Sequence, residues 1–245
     1  MIDVDAIVSA APPTVGAMFR WRVAKTPGKE AFRYPDAKDN WVSIDWAETG
    51  RQVFDLAAGL LSLGLQLEER VAIVANTRIE WILADFAINA AGGATTTVYP
   101  NTQGADFAHI VTDSGSVILV AENAEQVAKL ESAGDAAAQL RHIILMDGEG
   151  DGERTLGWSQ LAERGRQLLA SDPGVVDRAI ESATHDGLAT LIYTSGTTGM
   201  PKGVELSHRC WVYQAFVLDA MEIIADTAVQ YLWLPLSHVF GKDLL

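Results

Sequence analysis

Short runs of β-branched and aliphatic residues recur along this chain as "RVAIVA", "VILVA", "HIILMD" and "LATLIYT", and longer segments with apolar residues at helical spacing lie between them. That alternation is the pattern of a largely parallel sheet covered by helices. The expected fold class is therefore α/β, with largely parallel sheets flanked by helices. In "QVFDLAAGLLSLG", Val53, Leu56, Leu60 and Leu63 fall on one helical face, and Gly64 is placed to end the helix. "RVAIVA" follows as a buried strand. Thr77 and Glu80 stand three apart before the next apolar run, a spacing that predicts a capping box and a helix reaching about Ala91. Then come "GGATTTVYP" as loop, strand and stop, "ADFAHIVTDSG" as helix, "VILVA" as strand and "AEQVAKLESAG" as helix. "HIILMD", "WSQLAERGRQLLAS", "LATLIYT", "HRCWVYQAFVLDAM" and "AVQYLWLP" carry the alternation on.

The chain has 245 residues, 49% of them hydrophobic, enough for one large α/β domain or two smaller ones. Its formal net charge of -14 argues against nucleic acid as a partner, since neutralising phosphates takes a basic face. Cys210 is the single cysteine, so no intramolecular disulfide framework exists and a reducing, cytoplasmic compartment is expected. The first residues carry aspartates where a signal peptide would be basic, and no apolar run approaches the roughly 18 residues of a membrane span. Peripheral membrane contact is left open.

Several chemistries can be set aside. The acidic, glycine-rich excursion from Asp147 to Thr155 imitates a calcium loop, but its twelfth position is Trp158 where a bidentate acid is needed. It reads as a solvated turn. His109, His142, His185, His208 and His238 are too dispersed for short zinc-ligand spacing. Around Ser195, Tyr193 stands where the serine-hydrolase elbow needs glycine.

What remains is "YTSGTTGMPKG", from Tyr193 to Gly203. Gly196, Gly199 and Gly203 let backbone amides approach a ligand, Thr194, Ser195, Thr197 and Thr198 add hydroxyls, and Lys202 adds a cation. These are the parts of a polyphosphate cradle, set after the strand "LATLIY" and before the helix expected beyond Ser207. Pro201 removes one donor and stiffens the approach to Lys202. The loop is not a Walker A motif, because Lys202 is followed by Gly203 rather than Ser or Thr. On composition alone, a glycine-threonine turn with a solvated Lys202 fits equally well.

The order of residues adds more. "YTSGTTGMPKG" resembles the phosphate-binding loop of the adenylate-forming, or AMP-binding, superfamily: acyl-CoA synthetases, firefly-type luciferases and the adenylation domains of peptide synthetases. "GVELSH" after it, "WLPLSHVFG" further on and the region from "VSIDWAE" to "TTTVYP" before it extend the resemblance over nearly the whole chain. The wording is closest to the long-chain fatty acyl-CoA synthetase branch. The resemblance implies two steps: a fatty acid carboxylate attacks the α-phosphate of ATP to give an acyl-adenylate and pyrophosphate, then coenzyme A displaces AMP. It implies that Thr194, Ser195, Gly196, Thr197, Thr198 and Gly199 wrap the β- and γ-phosphates, that Lys202 neutralises them, and that Mg²⁺ shares the charge. His238, in "PLSHVFG", matches a position near the acyl carboxylate and adenylate; the alternative is a helix-start histidine satisfied by backbone. Trp233 matches the border of an acyl channel or a core aromatic of a buried strand. Tyr99 and Pro100 read as structural, His208 and Arg209 as capping or surface residues, and Cys210 as a small buried side chain.

The family's later motifs do not occur: the Y-G-x-T-E segment, the ribose-binding aspartate, the hinge and the small C-terminal domain with its catalytic lysine. Lys202 is not that lysine. The expectation is that residues 1–245 form the truncated N-terminal portion of an AMP-binding domain, with the C-terminal lid domain absent. No residue is assigned as catalytic and no protein side chain as a metal ligand. The alternative is a non-catalytic fragment, or a nucleotide-binding half that needs a separate C-terminal partner. As an isolated fragment, the chain is expected to leave sheet edges and the apolar stretch from Tyr231 to Leu236 without cover.

Overall fold

A computed structural model describes residues 10–36, 38–194, 199–222 and 228–243. A first helix, α1 (Val15–Lys25), precedes a two-stranded antiparallel ribbon of β1 (Glu30–Pro35) and β2 (Trp41–Asp45). Then follow α2 (Trp46–Ser62), β3 (Arg70–Val74), α3 (Ile79–Ala90), β4 (Ala94–Val98), α4 (Gly104–Ser114), β5 (Ser116–Ala121) and α5 (Ala124–Glu131). A 3₁₀ turn (Asp135–Gln139) leads to β6 (His142–Leu145), β7 (Thr155–Gly157), α6 (Trp158–Ser171) and α7 (Val175–Ser182). The last elements are β8 (Leu188–Thr194), β9 (Lys202–Ser207), α8 (His208–Ala220) and the short α9 (Val239–Lys242).

Among the described residues, seven strands make one sheet in the order β7-β6-β5-β3-β4-β8-β9, parallel throughout except for the antiparallel pair β8–β9. The apolar runs arise because both faces of this sheet are covered. Successive strand residues point to opposite faces. Val71 and Ile73 join one core with α1, α2, α3, α6 and α7, whereas Ala72 and Val74 join another with α4 and α5. The same alternation puts Ile192 on the first face and Tyr193 on the α4 face.

Helix α2 shows how local sequence meets this plan. Val53, Leu56, Leu60 and Leu63 are all buried, and the Asp45 carboxylate accepts from the Glu48 amide at 2.8 Å to cap the first turn. At its other end Gly64 takes a φ of 79°, and the Leu65 and Gly64 amides donate to the Leu60 and Leu61 carbonyls at 3.2 and 2.9 Å. This is the Schellman closure that a left-handed glycine permits. Where α6 crosses α2, Gly165 allows backbone contact: a Cβ there would lie 1.7 Å from the Asp55 carbonyl oxygen.

The structure departs from expectation where a side chain met a tertiary partner. Helix α3 begins at Ile79 with Arg78 as its uncapped N-cap, so Thr77 and Glu80 form no capping box. The Thr77 hydroxyl instead donates to the Leu234 carbonyl at 3.0 Å, and Glu80 accepts from Arg78 at 2.6 Å. The segment expected as a last strand is irregular where it is described, from residue 228 to residue 236. Tyr231 and Trp233 there are 77% and 71% exposed, so Trp233 is not a core aromatic, although Leu236 is buried. Cys210 is exposed rather than buried, because Trp211 and Val212, one and two positions on, turn the buried face of α8 away from it. His208 is the reverse: at 1% exposure it lies inside, and its Nδ1 accepts from the Val15 amide at 3.3 Å. The excursion after β6 is ordered by Asp151, whose carboxylate accepts from the Glu153 and Thr155 amides, and its Asp147 holds Arg78 through bonds of 2.6 and 2.9 Å.

Candidate polyphosphate site

Strand β8 runs from the buried core to an exposed end at Thr194, and β9 returns beside it with Thr194 opposite Lys202 and Tyr193 opposite Gly203. The glycine-rich stretch is therefore the connection of an antiparallel hairpin, not a direct strand-to-helix turn. Period alone did not separate β9, since its residues are mostly exposed on the sheet edge. Ser195, Gly196, Thr197 and Thr198 lie outside the described residues. Gly199 has a φ of 153°, a backbone state that favours glycine, with open space where a Cβ would be.

The hairpin opens at the carboxyl edge of the parallel strands, where open α/β sheets receive ligands. A cleft of about 490 Å³ lies between the hairpin and α4, lined by His109, Asp113 and residues Gly199 to Gly203. Its floor is α4. His109 Nε2 lies 2.9 Å from the Pro201 carbonyl oxygen; that oxygen can only accept, so the ring donates from Nε2. The Tyr193 hydroxyl donates to Asp113 Oδ2 at 2.7 Å. Burial, reinforced by the Asp113 carboxylate, raises the Tyr193 phenol well above the usual tyrosine range, so it stays a neutral donor. Lys202 is exposed.

His238 reaches the same sheet edge by another route. Ser237 before it is buried, its hydroxyl donating to the Val98 carbonyl at 3.1 Å while Thr97 donates to the Ser237 carbonyl at 3.0 Å. These bonds fix the segment at the carboxyl end of β4, the parallel neighbour of β8. The His238 ring is exposed, and its Nδ1 accepts from the Phe240 amide at 3.2 Å, capping α9. Pro100 is used structurally, its carbonyl accepting from Lys129 at 2.5 Å.

Residues 109 and 113 carried no signal beyond standing four apart on a predicted helix. Lys242, which is buried and paired with Asp85 on α3, carried no signal at all. Among the described residues no three or more His, Cys, Asp or Glu side chains gather as a metal-binding group. Nor is any helix among them long and apolar enough to cross a membrane.

Comparison with known proteins gives a consistent result. The family model described as AMP-binding enzyme matches residues 19–244. The long-chain-fatty-acid–CoA ligase FadD15 of Mycobacterium bovis is 31% identical over 206 residues, which are 83% of this chain and 33% of that protein. The long-chain-fatty-acid–CoA ligase ACSBG2 of Xenopus laevis is 30% identical over 252 residues, 97% of this chain and 33% of its own length. This chain thus spans about a third of the length of the curated relatives it matches. Among solved structures, the inhibitor-bound N-terminal domain of FACL13 from Mycobacterium tuberculosis superposes with a TM-score of 0.71 at 24% identity, over 94% of this chain and 53% of that one.

Proposed function

The chain belongs to the AMP-binding enzyme family, and on that premise we propose that it forms the ATP-phosphate clamp of a long-chain fatty acid–CoA ligase. The observation that carries the reading is the register of the hairpin: Lys202 and Thr194 stand opposite each other at its exposed mouth, on the carboxyl edge of the sheet. Adenylation brings a carboxylate against a phosphate chain, so positive charge and donors preorganised at the departing pyrophosphate lower the barrier. Lys202 supplies the charge and Thr194 a hydroxyl; Ser195, Gly196, Thr197, Thr198 and Gly199 complete the proposed cradle. Mg²⁺ enters this proposal as a counter-ion travelling with the phosphates. His238, at the neighbouring strand end, is proposed to face the acyl-adenylate. Fatty acid and coenzyme A as the other substrates rest on the relatives' activities, and a cytoplasmic site of action accords with ATP use and a single thiol.

One observation favours a second arrangement, in which this stretch works as a nucleotide-binding half against further polypeptide. Val229, Tyr231 and Trp233 are 88%, 77% and 71% exposed in one short segment.

The ligase reading is tested with a polypeptide that continues this chain by the remaining length of its relatives. It should exchange labelled pyrophosphate into ATP only when a long-chain fatty acid is present. A folded polypeptide that binds ATP without fatty-acid-dependent exchange would refute the ligase assignment and leave the clamp.

A further inference from the structure

We propose that His109 and Asp113 on α4 are positioning residues that set the direction of Lys202 by fixing the backbone on either side of it. The inference rests on the reading of Lys202 as the cation that meets the phosphates. At Pro201 the pyrrolidine ring locks φ, and the bond from His109 Nε2 to the Pro201 carbonyl at 2.9 Å restrains ψ. With both torsions set, Lys202 leaves the turn in one direction. On the other side Gly203 lies against the Tyr193 ring, where a Cβ would stand 3.0 Å from Cζ and 3.1 Å from the hydroxyl oxygen. That ring is held by its 2.7 Å bond to Asp113, and the His109 ring stands edge-on to it with centroids 6.4 Å apart. Positions 109 and 113 are four apart, hence on one helical face, so a single helix steadies both flanks of Lys202. Neither side chain is in the core, His109 being half-buried and Asp113 exposed.

A double-mutant cycle on the 245-residue chain tests this, with inorganic tripolyphosphate as the probe and calorimetry as the readout. His109→Ala should weaken binding about tenfold while thermal unfolding stays cooperative. His109→Gln, whose amide can donate to the same carbonyl, should return affinity to within about threefold of the parent. In a Lys202→Ala background the His109→Ala change should have no effect, as required of a residue that acts through Lys202. An equal loss with and without Lys202, or no loss in either background, overturns the proposal. If Lys202→Ala alone leaves tripolyphosphate affinity untouched, the phosphate reading falls, and hydrogen exchange decides the positioning claim separately. Whichever of the Lys202 and Gly203 amides faces β8 should exchange at least about tenfold faster in both His109→Ala and Tyr193→Phe; unchanged protection of that amide overturns it.

Discussion

Lys242 and Lys202 carry the same charge in opposite settings. The Lys242 side chain is 5% exposed and pairs with Asp85, itself 3% exposed, whose other oxygen accepts from the Thr95 hydroxyl at 2.6 Å. The Lys242 ammonium also lies 5.1 Å from the Trp211 ring centroid and 5.7 Å from that of Trp81. Burial pushes its pKa down, with Asp85 opposing that shift. Lys202 sits on an exposed hairpin mouth, and among the described residues no carboxylate lies within salt-bridge distance of it. A cation inside the protein has to be satisfied by the chain itself, whereas one at the exposed edge stays solvated.

The contrast breaks most visibly at Asp85. Asp85→Ala strands a buried ammonium, and urea unfolding should show a loss of about 3–5 kcal/mol. A loss under about 1 kcal/mol would mean that water reaches Lys242, and the contrast would vanish.

Acid should sharpen it next, through His208. Burial first, then the charges of Lys242 and His185, lower this imidazole to about 4 from 6.5. Between those values the unfolded chain binds more protons than the folded one, so stability is intact above about pH 6.5 and falls as pH drops toward 4. The loss should reach up to about 3 kcal/mol. His208→Asn, which keeps an acceptor near the Val15 amide, should flatten that slope in urea melts taken across pH; an unchanged slope would place the titration elsewhere.

Lys202→Ala should separate function from stability. ATP affinity of the chain should fall at least about tenfold, about 1.4 kcal/mol, while the unfolding free energy moves by less than about 0.5 kcal/mol. A large stability change would make Lys202 structural like Lys242. The smallest effect is expected at Arg209, which reaches exposed Asp186 at 4.0 Å; Arg209→Ala should alter stability by no more than about 0.5 kcal/mol in the same melts.

Legibility in the sequence followed burial. Strands β3, β5, β6 and β8 were readable because a strand covered on both faces is apolar along its length, and α2 because its buried stripe and terminal glycine are local signals. The ribbon β1–β2 and the edge strand β9 were not, since exposed strands carry no continuous apolar run. Thr77 and Glu80 had the letters of a capping box, yet Leu234 and Arg78 took their hydrogen bonds instead. In the candidate site, the loop residues and His238 were proposed from their order. The side chains that brace the loop could not, because His109 meets Pro201 across 92 positions and Asp113 meets Tyr193 across 80.

By itself, then, the order of residues determined the α/β class, the strands of the sheet's interior and a glycine- and hydroxyl-rich loop after the strand that ends at Thr194, because period and local composition are properties of neighbouring residues. Only the tertiary structure decided that β9 returns beside β8, that α4 meets Pro201 through His109, and that of two lysines one is sealed against Asp85 while the other is exposed. Those outcomes depend on which elements pack together, and packing is settled by contacts between residues far apart in the chain.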